Sequence, residues 1–164
     1  MLIEVYADGS GNTFDSDGGY GWRIVAGGNF HSEGSGYLVR ATNNTAEITA
    51  AIEGLKNVDS LLRSPEFQQT GPHEVSLVCD AQLVLGYASG RYRCKALHLT
   101  SLYVQLKAIY TALGASGRWI KGHSGDEHNE ACDKLAKAAR LGKGADGSKQ
   151  LGLPRAPTGD GEDR

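Results

Sequence analysis

The β-rich run at residues 74–79, Glu-Val-Ser-Leu-Val-Cys, constrains this chain most, because it is reached only through a helix. Ile48, Ala51, Ile52 and Leu55 recur at the spacing of one buried helical face. They predict a helix from Ala46 to Leu55, with helical character on to Leu62. Three β-rich runs come before it, residues 2–7, 20–26 and 29–38, and Gly27-Gly28 between the last two is a strong hairpin signal. A strand reached through a crossover helix lies parallel to one already laid down. The chain is therefore expected to be a mixed sheet with helices packed on it, an α/β fold. If the fourth run neighbours the first, Asp8 and Asp80 stand side by side at the carboxyl edge, where open α/β sheets place their sites.

The rest of the chain completes that plan. Residues 12–19 are polar and Gly-rich, hence loop, and Gly34 and Gly36 predict a bulge or an irregular edge in the third strand. A short helix is expected over 82–89, stopped by Gly90. Leu99, Leu102, Tyr103, Leu106, Ile109, Tyr110 and Leu113 mark an amphipathic helix ended by Gly114 and Gly117. Arg118 to Lys121 reads as a fifth strand and residues 127–140 as the last helix. Residues 1–141 thus form one domain. The segment 142–164 is Gly-rich, carries Pro154 and Pro157, lacks apolar periodicity and is expected to be a flexible tail.

Charge and cysteine usage narrow the function classes. A formal net charge of −2 provides no broad basic field. A nucleic-acid partner would be held by local patches, or by metal ions that offset the protein's carboxylates. Cys79, Cys94 and Cys132, an odd number with no close pairing, read as reduced thiols of a cytoplasmic protein. The N-terminus enters a strand at once with no signal-peptide pattern, and no apolar run is long enough to span a bilayer.

The chemistry lies in acidic residues from distant parts of the chain. In the stretch 119–140 an apolar strand end runs into a Gly-bounded loop carrying His123, and a helix then presents Asp133. Asp8, Glu47 and Asp80 are placed to meet it. Each acid also has a plainer reading. Asp8 before Gly-Ser-Gly suits a turn. Asn44 and Glu47 fit a capping box. Asp80 suits a helix N-cap, and Asp133 can pair with Lys137 at i+4. Packed together, such acids repel one another and favour a bound cation. An all-oxygen ligand set selects Mg²⁺ or Mn²⁺ over zinc. Two such ions ~3.5–4 Å apart suit phosphodiester hydrolysis. His123 beside a metal-bound phosphate could shuttle a proton or help release product.

At these residues the chain resembles the type 1 ribonuclease H family. The motifs are Tyr6-Ala-Asp8-Gly-Ser10, Thr42-Asn-Asn-Thr-Ala-Glu47, Cys79-Asp80-Ala-Gln82, and Lys121-Gly-His123-Ser-Gly with Asn129-Glu-Ala-Cys-Asp133, over about residues 1–141. The resemblance implies a five-stranded mixed sheet of order 3-2-1-4-5, its first three strands antiparallel, with helices on both faces. It implies a monomeric endonuclease that cuts the RNA strand of an RNA–DNA hybrid, leaving 5′-phosphate and 3′-hydroxyl ends. Asp8, Glu47, Asp80 and Asp133 would hold two Mg²⁺ ions, with Mn²⁺ a possible substitute, and His123 would be the auxiliary catalytic residue. Ser10, Asn43, Asn44, Gln82, Arg91 and Arg93 would contact the hybrid. The chain departs from the pattern in the loop after Asp8, which lacks an Asn-Pro-Gly stretch, and at Ala81, where Ser is frequent. Its basic link is short, with Arg91, Tyr92, Arg93 and Lys95 in place of a whole basic protrusion, which predicts weaker, salt-sensitive binding. A nuclease of the same fold with another substrate, or a non-catalytic hybrid-binding module, are the alternatives.

Overall fold

The computed structural model describes residues 1–11 and 16–142. Strands β1 (Leu2–Ser10), β2 (Gly18–Ala26), β3 (Asn29–Leu38), β4 (Glu74–Cys79) and β5 (Ser116–Trp119) form one sheet in the order β3-β2-β1-β4-β5. The first three are antiparallel neighbours, β4 runs parallel to β1, and β5 parallel to β4. The helices are α1 (Asn43–Arg63), the short α2 (Pro65–Gln68), α3 (Gln82–Ser89), α4 (Thr100–Ala112) and α5 (Glu127–Gly142). This is the mixed sheet the sequence leads one to expect. The expected tail, apart from Gly142 at the end of α5, lies outside the described residues.

Strand alternation divides the interior into two layers. Ile3, Val5 and Ala7 face the larger one, with Ile48, Ile52 and Leu55 of α1, Val84 of α3 and Leu106 of α4. Tyr6 and Val78 face the other side, with Val25 and with Cys132 of α5. The cysteines are free; Cys79 and Cys132 are buried and Cys94 is partly so. Among the described residues no helix is long and apolar enough to cross a membrane.

Several boundaries differ from the sequence expectation. Gly27 and Gly28 both have positive φ, 58° and 84°, as a two-residue type I′ hairpin requires. The register shift in β3, however, falls opposite Ile24 and Val25, leaving His31 as the extra residue, while Gly34 and Gly36 pair regularly. At Gly36 the lack of a side chain serves packing: a Cβ there would run into the Tyr20 ring. β1 does not end before Asp8 but continues through it, pairing Asp8 with Gly21. β5 starts two residues earlier than expected and includes Gly117. Gly114, at φ 62°, reverses the chain directly after α4, so pairing with β4 begins at Ser116.

Candidate active site

The β1–β4 register brings the first two acids together. Tyr6 pairs with Val78, so Asp8 and Asp80, each two residues further on, emerge level on the side of the sheet that α5 covers. Asp80 is not a helix cap: the residue before α3 is Ala81, with no side-chain cap bond. The Asp80 backbone carbonyl accepts a hydrogen bond from Trp119 Nε1 at 3.0 Å. A Cβ on Gly122 would lie 2.7 Å from Asp80 Oδ2, so glycine lets the following loop close onto this carboxylate.

Glu47 arrives on the first turns of α1. The capping box expected from Asn44 and Glu47 does not form. Thr42 is the N-cap, and its hydroxyl accepts from the Thr45 N–H at 3.1 Å. The cap lies two residues earlier than the pattern suggested, so Glu47 is not spent on its own helix. The helix start rests against β1 at Gly9, where any side chain would collide with the Ala46–Glu47 backbone.

Asp133 is set by how closely α5 approaches β2. A Cβ on Gly21 would lie 2.7 Å from the Cys132 carbonyl oxygen, and one on Gly19 would strike the Ala136 carbonyl. The first turn of α5 is capped by Asp126, whose Oδ1 accepts from the N–H groups of His128 and Asn129 at 3.0 and 2.9 Å. The His128 ring stacks at a tilt 5.0 Å from Tyr6 and lies 3.2 Å from Arg23 Nη1, tying that turn to the sheet. In the preceding loop His123 is exposed and left-handed, at φ 56°, an uncommon conformation for a residue with a side chain. Ser124 Oγ donates to the Lys121 carbonyl at 2.6 Å, within the same loop.

These elements enclose a polar cavity of about 330 Å³. Asp8, Glu47, Asp80, Asp133 and His123 all line it, together with Ser10 and Asn43. Oxygens of Asp8, Glu47 and Asp80 lie within 4.8 Å of one another. Asp133 shares the cavity, but its Oδ2 lies 3.1 Å from Lys137 Nζ. The gathering of acids and the plain i+4 pair are thus both present. Asn43 Oδ1 accepts from the Gly11 N–H at 3.3 Å, which ties helix start to strand end. Asn44, Gln82, Arg91 and Arg93 are exposed and do not line the cavity. Sequence reasoning missed Arg140 altogether and took Lys137 only as a partner for Asp133. The signal was there: both follow Asp133 at i+4 and i+7, on one helical face.

The electrostatics are those of crowded acids. Burial, then repulsion from Asp80, Glu47 and Asp133, pushes the Asp8 carboxyl up to about 8, against one stabilising hydrogen bond from the Gly9 N–H. Burial and Asp80 push Glu47 up to about 7. An oxygen-only donor set with this spread suits a hard divalent ion, whose ligand oxygens stand roughly 3–4 Å apart.

Comparison with known proteins bears on the family and the fold. The profile of the RNase H family matches residues 2–140. Ribonuclease H of Geotalea uraniireducens is 35% identical over 150 residues, covering 85% of this chain and 94% of that protein. RNase H1 of the halophilic archaeon Halobacterium salinarum superposes with a TM-score of 0.71 at 26% identity, covering 87% of this chain and 99% of that one. LC11-RNase H1, solved in complex with an RNA/DNA hybrid, shares the fold with a TM-score of 0.71 at 24% identity, over 86% of this chain and 98% of that one.

Proposed function

The chain belongs to the ribonuclease H family, and from that premise we propose that it is a metal-dependent endonuclease acting on RNA–DNA hybrids. It hydrolyses the RNA strand and leaves 5′-phosphate and 3′-hydroxyl ends. The observation that carries this reading is the meeting of Asp8, Glu47 and Asp80 at one sheet edge, with Asp133 and His123 on the same cavity. Asp8 and Glu47 hold protons to neutral pH and above because they are buried together. A cation that takes the place of those protons removes the repulsion.

The four carboxylates would hold two Mg²⁺ ions, with Mn²⁺ a substitute of similar chemistry. Such a pair, when bound, activates a water on one side of a phosphodiester and stabilises the leaving oxygen on the other. The chain's own residues do the rest. The carboxylates would fix the positions of the ions, and through them where the reacting phosphate can sit. His123, exposed in a glycine-flanked loop at the cavity, moves a proton or eases product out. Ser10 and Asn43 contact the hybrid from the cavity wall, Asn43 at its minor groove. Asn44 and Gln82, exposed at the starts of α1 and α3, reach the minor groove, where amides can both donate and accept and the 2′-hydroxyl tells RNA from DNA.

The test is cleavage of end-labelled hybrid, DNA duplex and RNA duplex, with Mg²⁺ or with EDTA. Cutting confined to the RNA strand of the hybrid, and lost in EDTA, is the expected result. Metal-dependent cutting of another duplex in preference would reassign the substrate. If wild type and Asp8→Asn both bind hybrid and neither cuts it, the chain is a binding module.

A further inference from the structure

Asp133 carries a cation of its own. Lys137 Nζ lies 3.1 Å from its Oδ2, with 52% of the Lys137 side chain and 22% of that of Asp133 exposed. Lys137 and Arg140, on successive turns of α5, line the cavity that the carboxylates occupy. Among the described residues, the group of three carboxylates whose oxygens all lie within 4.8 Å of one another is Asp8, Glu47 and Asp80, and Asp133 is not part of it. An ammonium on Oδ2 occupies part of that carboxylate's acceptor capacity and offsets its negative charge, and a dication approaching the other oxygen is repelled by the ammonium.

We propose that Lys137 is a built-in competitor for the second divalent ion, holding Asp133 until that ion displaces its ammonium. The proposal deepens the hydrolase reading and rests on it. The end of the cavity formed by Asp8, Glu47 and Asp80 fills first. The Asp133 end fills second, and its filling frees an ammonium on the cavity wall beside Arg140. The anion that ammonium can take is a phosphodiester oxygen of the substrate. Second ion and bound phosphate therefore favour each other's entry, so the full metal complement assembles around substrate. An exposed i,i+4 pair is weak, so the competition costs only a small factor in affinity, to which repulsion between ammonium and dication adds.

The experiment is calorimetric titration of the full chain with Mn²⁺, and then Mg²⁺, in the absence of nucleic acid. Wild type, Lys137→Met, Lys137→Arg, Asp8→Asn and the double variant Lys137→Met/Asp133→Asn are compared, each checked for folding by circular dichroism. Lys137→Met should tighten the second ion about three- to tenfold and leave the first unchanged. Lys137→Arg, which keeps the cation, should titrate like wild type, and Asp133→Asn in the Met background should remove the second ion. Superimposable isotherms for wild type and Lys137→Met, or equal tightening in Lys137→Arg, would overturn the proposal and leave the hydrolase reading intact. A wild type that takes up no ion and titrates like Asp8→Asn would overturn the hydrolase reading itself.

Discussion

Asp8 is the residue in which fold and function conflict most directly. It and Glu47 keep their protons to about pH 8 and 7 in the folded chain, against ordinary values of 3.8 and 4.5. Between about pH 4 and 8 the native state therefore binds more protons than the unfolded one, and stability falls as pH rises through that window. In the absence of divalent ions, the melting temperature of the wild type should decline from pH 5 to pH 9. Asp8→Asn should flatten the decline and stand roughly 5 °C above wild type at pH 9, with little difference at pH 4. Scanning calorimetry in EDTA measures this; parallel curves for the two proteins would count against a buried acid cluster. Added Mg²⁺ should restore the wild type and do little for the variant, whose hybrid cleavage should fall about a hundredfold or more. His123 poses a different question, because its backbone is left-handed. His123→Asn keeps a residue that tolerates that conformation and removes the imidazole, whereas His123→Ala disturbs both. If the ring moves protons, kcat falls about 10- to 100-fold in both variants while cleavage still needs metal. A loss seen only with Ala would assign the effect to the backbone.

At the scale of elements, the site is assembled by close approaches that glycine permits. Gly9 seats α1, Gly19 and Gly21 seat α5, and Gly122 lets the His123 loop reach Asp80. Gly21→Ala should force α5 away from β2, costing about 1–3 kcal/mol in urea unfolding, and lower kcat by moving Asp133 relative to the other acids. Gly28→Asn is the control: its hairpin φ is 84°, nothing lies within 4 Å, and activity should be untouched. This explains what was legible in the sequence. Apolar periodicity and the crossover rule made the fourth strand parallel to an earlier one, and the strand order implied by the family resemblance then set Asp8 beside Asp80, because a parallel register acts on whole strands. The cap of α1 was read two residues late because Asn44 and Glu47 satisfy the same local pattern that Thr42 in fact fills. Glycine contacts were not legible at all. Gly19 and Gly21 look like loop or strand weakeners until the helix that lands on them, more than a hundred residues on, is in place. Asp133 was legible twice over, as a cavity acid and as a partner of Lys137, and sequence spacing had no means of saying that both hold at once.

Over the whole molecule, a net charge of −2 hides a segregated distribution. The stretch 81–125 contains Arg91, Arg93, Lys95, Lys107, Arg118 and Lys121 and no Asp or Glu, so the acids are confined to the rest of the chain. Arg118 is engaged by Glu4 at 2.7 Å. The cations of the link after α3 are instead held out on a fixed base. The Tyr92 N–H donates to the Gly86 carbonyl at 3.0 Å, the Tyr92 ring sits where a side chain on Gly86 would be, and the Arg91 guanidinium lies 5.2 Å above that ring. Exposed cations on a link without acids, in a chain that also carries an acidic cavity, suit a partner that presents several phosphates. Hybrid affinity should then fall steeply with salt, as condensed counterions are released. Arg91→Ala and Arg93→Ala should each lower the slope of log K against log salt by about one and weaken binding at every sequence alike. Removing a carboxylate should leave the slope nearly unchanged while abolishing turnover. Fluorescence anisotropy across a salt series, in Ca²⁺ or EDTA to prevent cutting, separates the two effects. Slopes unaltered by both arginine changes would make the link a solvated connector and move the search for the binding surface to Lys107 and Lys121.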